Sequence, residues 1–260
     1  LALVYLAEYF NDPAYLDVLP KFFEYYKPWF KSRADKKNPN APWPAYTYDN
    51  DTRLELVQFG PWTVMAANAY TRNRPAASDV VDFGLEVGRW MIESYEYTSE
   101  RAPFPDYVGG YYKFEGELPA MQAFCYGEGT AAAYQMALRA RPEQAAFFEK
   151  ATRETVRFGL QTQHDRMDTL YFSRGEEVEG GIKYALNEPK VRIDYVYHGQ
   201  SAMWQWLQSA MVDPNLAASA KATPAEALKL ILSLQDMPFF RPEGAPVRTS
   251  SARGEITLEG

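Results

Sequence analysis

The chain has 260 residues, 47% hydrophobic and 23% charged, which is enough for one sizeable core in a single globular domain spanning 1–260. A net charge of −7 argues against a nucleic-acid or anionic-membrane partner, and no apolar run reaches the ~20 residues that span a bilayer. The lone Cys125 excludes an internal disulfide and a cysteine-based zinc cage, and no metal or cofactor is expected.

The chain opens without methionine inside an apolar stretch (Leu1, Leu3, Val4, Leu6), so it reads as a fragment that begins within a helix, ended by Pro13. A long return segment, 27–60, follows. It carries Trp43, Tyr48, Asp49, Arg53 and other groups that suit sugar hydroxyls and sugar faces. Asp49-Asn50-Asp51 lacks the glycine and terminal glutamate of a calcium loop, so it reads as a sugar-binding or loop-capping segment.

Next comes Phe59-Gly60-Pro61-Trp62-Thr63, the first of three echoes of one motif, and an apolar helix over 63–70 that meets Pro75. The second echo is Tyr126-Gly127-Glu128-Gly129-Thr130, with a helix over 130–138 that meets Pro142. The third is Tyr197-His198-Gly199-Gln200-Ser201, with a helix over 201–212 that meets Pro214. The prolines recur roughly every 65 residues. A second echo is the glycine pair, Gly109-Gly110 and again Gly180-Gly181, each predicting a short strand and a β-hairpin in its loop.

The helices before each proline are apolar all round and should be buried on every side. Those after it are two-faced. Over 143–160, Phe148, Thr152, Val156 and Leu160 form one row, and Glu149, Arg153 and Arg157 fall opposite. Each unit is thus a buried inner helix, a tight proline turn and an outer helix. The fold class that follows is all-α, an α/α toroid of helical hairpins forming a partial ring. The tail, 236–260, reads as the start of another return loop, cut at its end.

The hairpin turns are short, whereas the returns 27–60, 99–127 and 161–198 are long. All of the returns should therefore share one rim with the N-termini of the inner helices, where unpaired N–H groups favour an anion. Glu128 is expected at the start of its helix, with its pKa lowered by the dipole. Arg192, Asp194, Tyr195 and His198 form the densest polar cluster. Asp194 is equally suited to capping the helix or pairing Arg192. His164, after an outer helix, suits a surface or helix-end role. Trp62 and Trp204 suit core packing better than a sugar platform. Of Tyr111 and Tyr112, alternation along a strand lets at most one face a cleft. There is no phosphate loop, nucleophile elbow or dinucleotide fingerprint.

Gly109-Gly110-Tyr111 leading to Glu128-Gly129-Thr130, and Arg192-Ile193-Asp194-Tyr195-Val196-Tyr197-His198 later, resemble the C-terminal toroid of the glucuronyl 5-epimerases. These belong to the α/α-toroid group of carbohydrate-active proteins, with six-hairpin glycosidases and polysaccharide lyases. The resemblance implies an enzyme acting on a uronate-containing oligosaccharide or polysaccharide by removing and returning the proton beside a carboxylate, as an epimerase or lyase does. Arg192 would bind that carboxylate, helped by Lys183, Tyr111, Tyr112, Tyr48, Asp49 and Arg53. Tyr195, with Tyr126 or His198, would move the proton, and a tyrosine base would need a cationic neighbour such as Arg192 or Lys183. Two alternatives stand beside this: a glycoside hydrolase pairing Asp194 with Glu128 or Asp49, and a non-catalytic solenoid that binds a glycan or a protein.

Overall fold

The computed structural model describes residues 1–34, 50–112 and 117–212, with side chains for 1–30, 59–112 and 117–209. The described chain is mostly helical, as expected. Its helices are α1 (Ala2–Phe10), α2 (Leu19–Ala34), α3 (Asn50–Asn73), α4 (Ser78–Tyr95), α5 (Gln122–Ala140), α6 (Pro142–Gln161), the single turn α7 (Gly175–Val178) and α8 (Ile193–Val212). One antiparallel hairpin, β1 (Lys183–Ala185) with β2 (Glu188–Val191), lies between α7 and α8.

The helices sort into two kinds for the reason their patterns suggest. Helix α4 buries Val80, Phe83, Val87 and Met91 and turns Asp82, Glu86 and Glu93 to solvent. Helix α6 starts with Pro142 at its first position and buries Phe148, Thr152, Val156 and Leu160. Helix α5, by contrast, is buried without a break from Tyr126 to Ala137. It packs against α3 on one side and α8 on the other, while α4 and α6 form hairpins with α3 and α5. The two hairpin turns hold Pro75 and Pro142, as the repeat requires.

A buried polar chain ties three of these helices together. Asn68 Nδ2 on α3 donates to Gln135 Oε1 on α5 at 2.9 Å, and Arg139 Nη2 donates to Asn68 Oδ1. Gln135 Nε2 then donates to the Gln205 carbonyl on α8 at 2.8 Å. Because each of these groups would be costly to bury alone, the chain fixes the relative height of the three helices.

The glycine-pair echo is a structural repeat. Gly109 and Gly180 both have φ of +85°, a left-handed conformation that favours glycine. Tyr97 N–H donates to the Gly110 carbonyl and Gly109 N–H to the Tyr97 carbonyl, both at 2.9 Å. In the next unit His164 N–H donates to the Gly181 carbonyl and Gly180 N–H to the His164 carbonyl, both at 2.8 Å. Each pair thus anchors a return segment to the end of the outer helix before it. The two returns also meet: Met121 N–H donates to the Tyr184 carbonyl at 2.7 Å, and Ala120 bridges Ala185.

Several expectations are corrected. The inner helices begin earlier than 63, 130 and 201, so the three motif echoes lie inside α3, α5 and α8 rather than at their starts. Gly60, Pro61, Gly127 and Gly199 are therefore all helical. Packing overrides a local penalty of about 1 kcal/mol per glycine and about 3 kcal/mol for a helical proline. The returns are correspondingly shorter, and Glu128 owes nothing to a helix end. Helix α8 is not buried all round: Trp204 is 59% exposed, on a face that no described element covers. Among the described residues the first glycine pair leads to a single bridge, Glu96 to Tyr111, and Tyr111 and Tyr112 are both buried. His164 is also buried, its Nε2 held 2.9 Å from the Pro189 carbonyl.

Candidate functional site

The three motif echoes meet at one level of the fold. Gly129 on α5 packs so closely on Pro61 of α3 that a Cβ added there would lie 2.8 Å from the Pro61 Cα. From the same turn of α5, Glu128 reaches the other way to α8, where its Oε2 lies 2.9 Å from His198 Nδ1. The His198 ring in turn faces Trp62 of α3, with ring centroids 5.8 Å apart, and Tyr197 at 4.9 Å. Glycines at 127, 129 and 199 let the three backbones approach, and the side chains between them converge.

The electrostatics of this meeting point are unusual. Glu128 is 0% exposed, and its second oxygen, Oε1, accepts no hydrogen bond. A carboxylate buried this completely needs a close partner to offset its lost hydration. His198 is that partner. Hydrogen bonds to Cys125 and then to Glu128 raise its pKa to about 10, against the opposing effect of burial. The imidazole is therefore positively charged at neutral pH, and its side chain keeps 16% exposure, so the charge can be reached from outside. Cys125 precedes Glu128 by three positions on α5 and shares its face. One ligand atom from each of Cys125, Glu128 and His198 falls within 4.8 Å of the others.

Beside this cluster an open apolar cleft of about 450 Å³ runs between α2 and α3, lined by Phe22, Tyr25, Trp29, Phe59 and Trp62 among others. Trp62 belongs to both features: it walls the cleft and backs His198. Aromatic rings of this kind offer flat apolar faces with polar edges, the surface that suits a sugar ring.

The residues singled out from sequence divide into three groups. His198 and Glu128 are in direct contact. Asp194 stands one turn before His198 on α8 and pairs with Arg192 at 3.0 Å, both partly exposed. These four share one end of the molecule. Tyr195 is 4% exposed, in a small cluster with Phe124, Ile182 and Ala202, although the Arg192 guanidinium lies 5.2 Å from its ring. Tyr126 and Tyr111 stack at 4.3 Å inside the core, and Tyr112 stacks on Tyr97 at 4.1 Å. Lys183 is drawn to Asp168 at 3.0 Å. Arg53 belongs to α3, its side chain outside the described set, and Tyr48 and Asp49 lie outside the described residues. As a single thiol, Cys125 carries no spacing signal in the sequence. The signal that finds it is its helical register with Glu128. No family model, curated protein or solved structure matches the chain.

Proposed function

We propose that the chain is a carbohydrate-active enzyme that removes and returns the proton beside a sugar carboxylate, in the manner of an epimerase or lyase. The observation that carries this reading is the His198–Glu128 pair: a buried carboxylate fixing a reachable imidazolium, next to an aromatic cleft. Removing a proton beside a carboxylate builds negative charge on that carboxylate. A fixed cation at the reacting end stabilises the charge as it develops. His198 takes that part, and Arg192, partly exposed at the start of α8, steers the uronate once Asp194 releases it. Trp62 gives the sugar ring a face to lie on. The succession of inner and outer helices supports a double-layered toroid as the scaffold.

With Tyr195 and Tyr126 buried, the proton passes to the Asp194 carboxylate, freed when the uronate takes Arg192, and returns from it, while His198 holds the developing charge. Hydrolysis by paired carboxylates is the weaker reading. Glu128 is wholly buried and engaged by His198, so among the described residues Asp194 has no second carboxylate free to complete such a pair.

The test is to incubate the chain with a panel of uronate-containing polysaccharides in deuterated water and follow the products by proton NMR. Loss of the signal from the hydrogen next to the carboxylate on at least one polymer is the expected result. Chain shortening with every such hydrogen retained means hydrolysis instead. No change on any polymer removes the reading.

A further inference from the structure

We propose that Cys125, Glu128 and His198 together form a three-ligand site for a divalent transition metal of the zinc class. The inference deepens the reading above and rests on it only for the use of the site: the positive charge turned toward the substrate is then a metal ion's rather than a proton's.

Three observations carry it. First, the donors come from rigid elements. Cys125 and Glu128 are one turn apart on α5, and His198 projects from α8, held in register by the Gln135–Gln205 bond. Second, the donor atoms are already gathered within 4.8 Å of one another. Bonds of about 2.0 Å to nitrogen and 2.3 Å to sulfur at tetrahedral angles set a donor spacing of about 3.5 Å, so small side-chain adjustments, with the hydrogen-bonded His198–Glu128 pair parting slightly, form the site. Third, Glu128 Oε1 is wholly buried and has no hydrogen-bond partner. A buried carboxylate oxygen in that state is expensive, and a metal bond satisfies it.

The donor set selects the class of ion. Calcium and magnesium take oxygen donors almost exclusively, whereas thiolate, imidazole and carboxylate together suit zinc, cobalt and their neighbours. Three protein donors leave the fourth tetrahedral position open, which is the arrangement of catalytic rather than structural zinc. Access exists through the exposed edge of His198 and the partly exposed Cys125. One cysteine in a helix is thus sufficient here, because its partners are not cysteines.

The sequence contains one cysteine, so any thiolate–metal signal reports on Cys125. Cobalt(II) is titrated into the full chain after chelator treatment, without substrate, and the thiolate-to-cobalt band in the near ultraviolet is followed. The expected result is a band saturating at one cobalt per chain and displaced by zinc. Cys125→Ser should abolish it, and His198→Asn should weaken cobalt binding at least about tenfold. If Cys125→Ser fails to fold, zinc protection of the wild-type thiol from alkylation serves instead, with at least about tenfold slowing expected. No band and no protection in folded wild-type chain overturns the proposal, as does an unweakened band in His198→Asn. Solvent exchange at the uronate without a cobalt band removes the metal and leaves the imidazolium as the charge. A cobalt band without exchange on any polymer supports the metal site and removes the substrate reading.

Discussion

His198 on α8 holds its Nδ1 2.9 Å from the Oε2 of Glu128 on α5, and the carboxylate has no exposure to solvent. The pair joins two neighbouring helices. Its consequence for pH has a definite sign. The folded pKa of about 10 lies above the ordinary 6.5, so the stabilisation is complete below about 6.5 and is lost as pH rises through 10. Glu128→Gln should lower the His198 midpoint from about 10 while leaving it above 6.5, because the larger contribution, the Cys125 hydrogen bond, remains. The sequence has two histidines, so NMR titration of the ring protons resolves His198 directly. An unchanged midpoint in the variant would mean that Glu128 does not hold the proton.

The polar chain from Asn68 through Gln135 to Gln205 should be costly to interrupt. Asn68→Ala leaves the buried Gln135 Oε1 without its partner and takes one acceptor from Arg139, which keeps the Asn68 carbonyl. A loss of about 2–3 kcal/mol in urea denaturation is expected. A loss below about 0.5 kcal/mol would show that the chain is not a structural tie.

Two glycines should respond to alanine for different reasons. At Gly129 the new Cβ would meet the Pro61 backbone at 2.8 Å, so α3 and α5 must separate, and about 1–3 kcal/mol should be lost. At Gly180 the surroundings are open, with the nearest atom at 3.9 Å, and only the left-handed φ resists. That costs about 1–2 kcal/mol. The two separate by function: Gly129→Ala should disturb the His198–Glu128 geometry and its titration, whereas Gly180→Ala should leave the midpoint of His198 in place.

Glu96, buried after the end of α4, has its pKa raised to about 8, chiefly by burial, with Arg101 opposing and Glu154 adding to the rise. A carboxyl whose folded pKa exceeds its ordinary 4.5 makes the fold progressively less stable as pH rises from 4.5 through 8. Glu96→Gln keeps the size and removes the charge. It should leave stability at pH 4 nearly unchanged and raise it at pH 9 by roughly a few kcal/mol. Thermal melts of both chains across this range make the comparison, and parallel curves would contradict the assignment.

The repeat and the helix kinds were legible because they depend on spacing. Pro75 and Pro142 sit in the hairpin turns, and the two-faced pattern over 143–160 is α6 almost to the residue. The glycine pairs at 109 and 180 anticipated a repeat of backbone hydrogen bonds that the chain in fact makes. Helix starts were not legible. Gly127 and Gly129 look like breaks, but their role is close approach between helices, which only tertiary packing reveals. The candidate site was legible in part. Glu128 and His198 were picked as polar residues beside buried helices, but their contact spans 70 positions and has no local signature. Tyr195 looked as available as His198 in the same segment. One step along a helix turns the side chain by about 100°, and that step separates a buried ring from a reachable one.

The claim on which the account depends is that the Glu128–His198 pair drives proton exchange beside a uronate carboxylate. Its most direct measurement is the initial rate of deuterium incorporation at that carbon, compared between the wild-type chain and folded His198→Asn, on a polymer that the wild type labels. A fall of at least about 100-fold is predicted, the usual cost of removing one preorganised group from the place where negative charge develops. Labelling by His198→Asn at the wild-type rate would contradict the account.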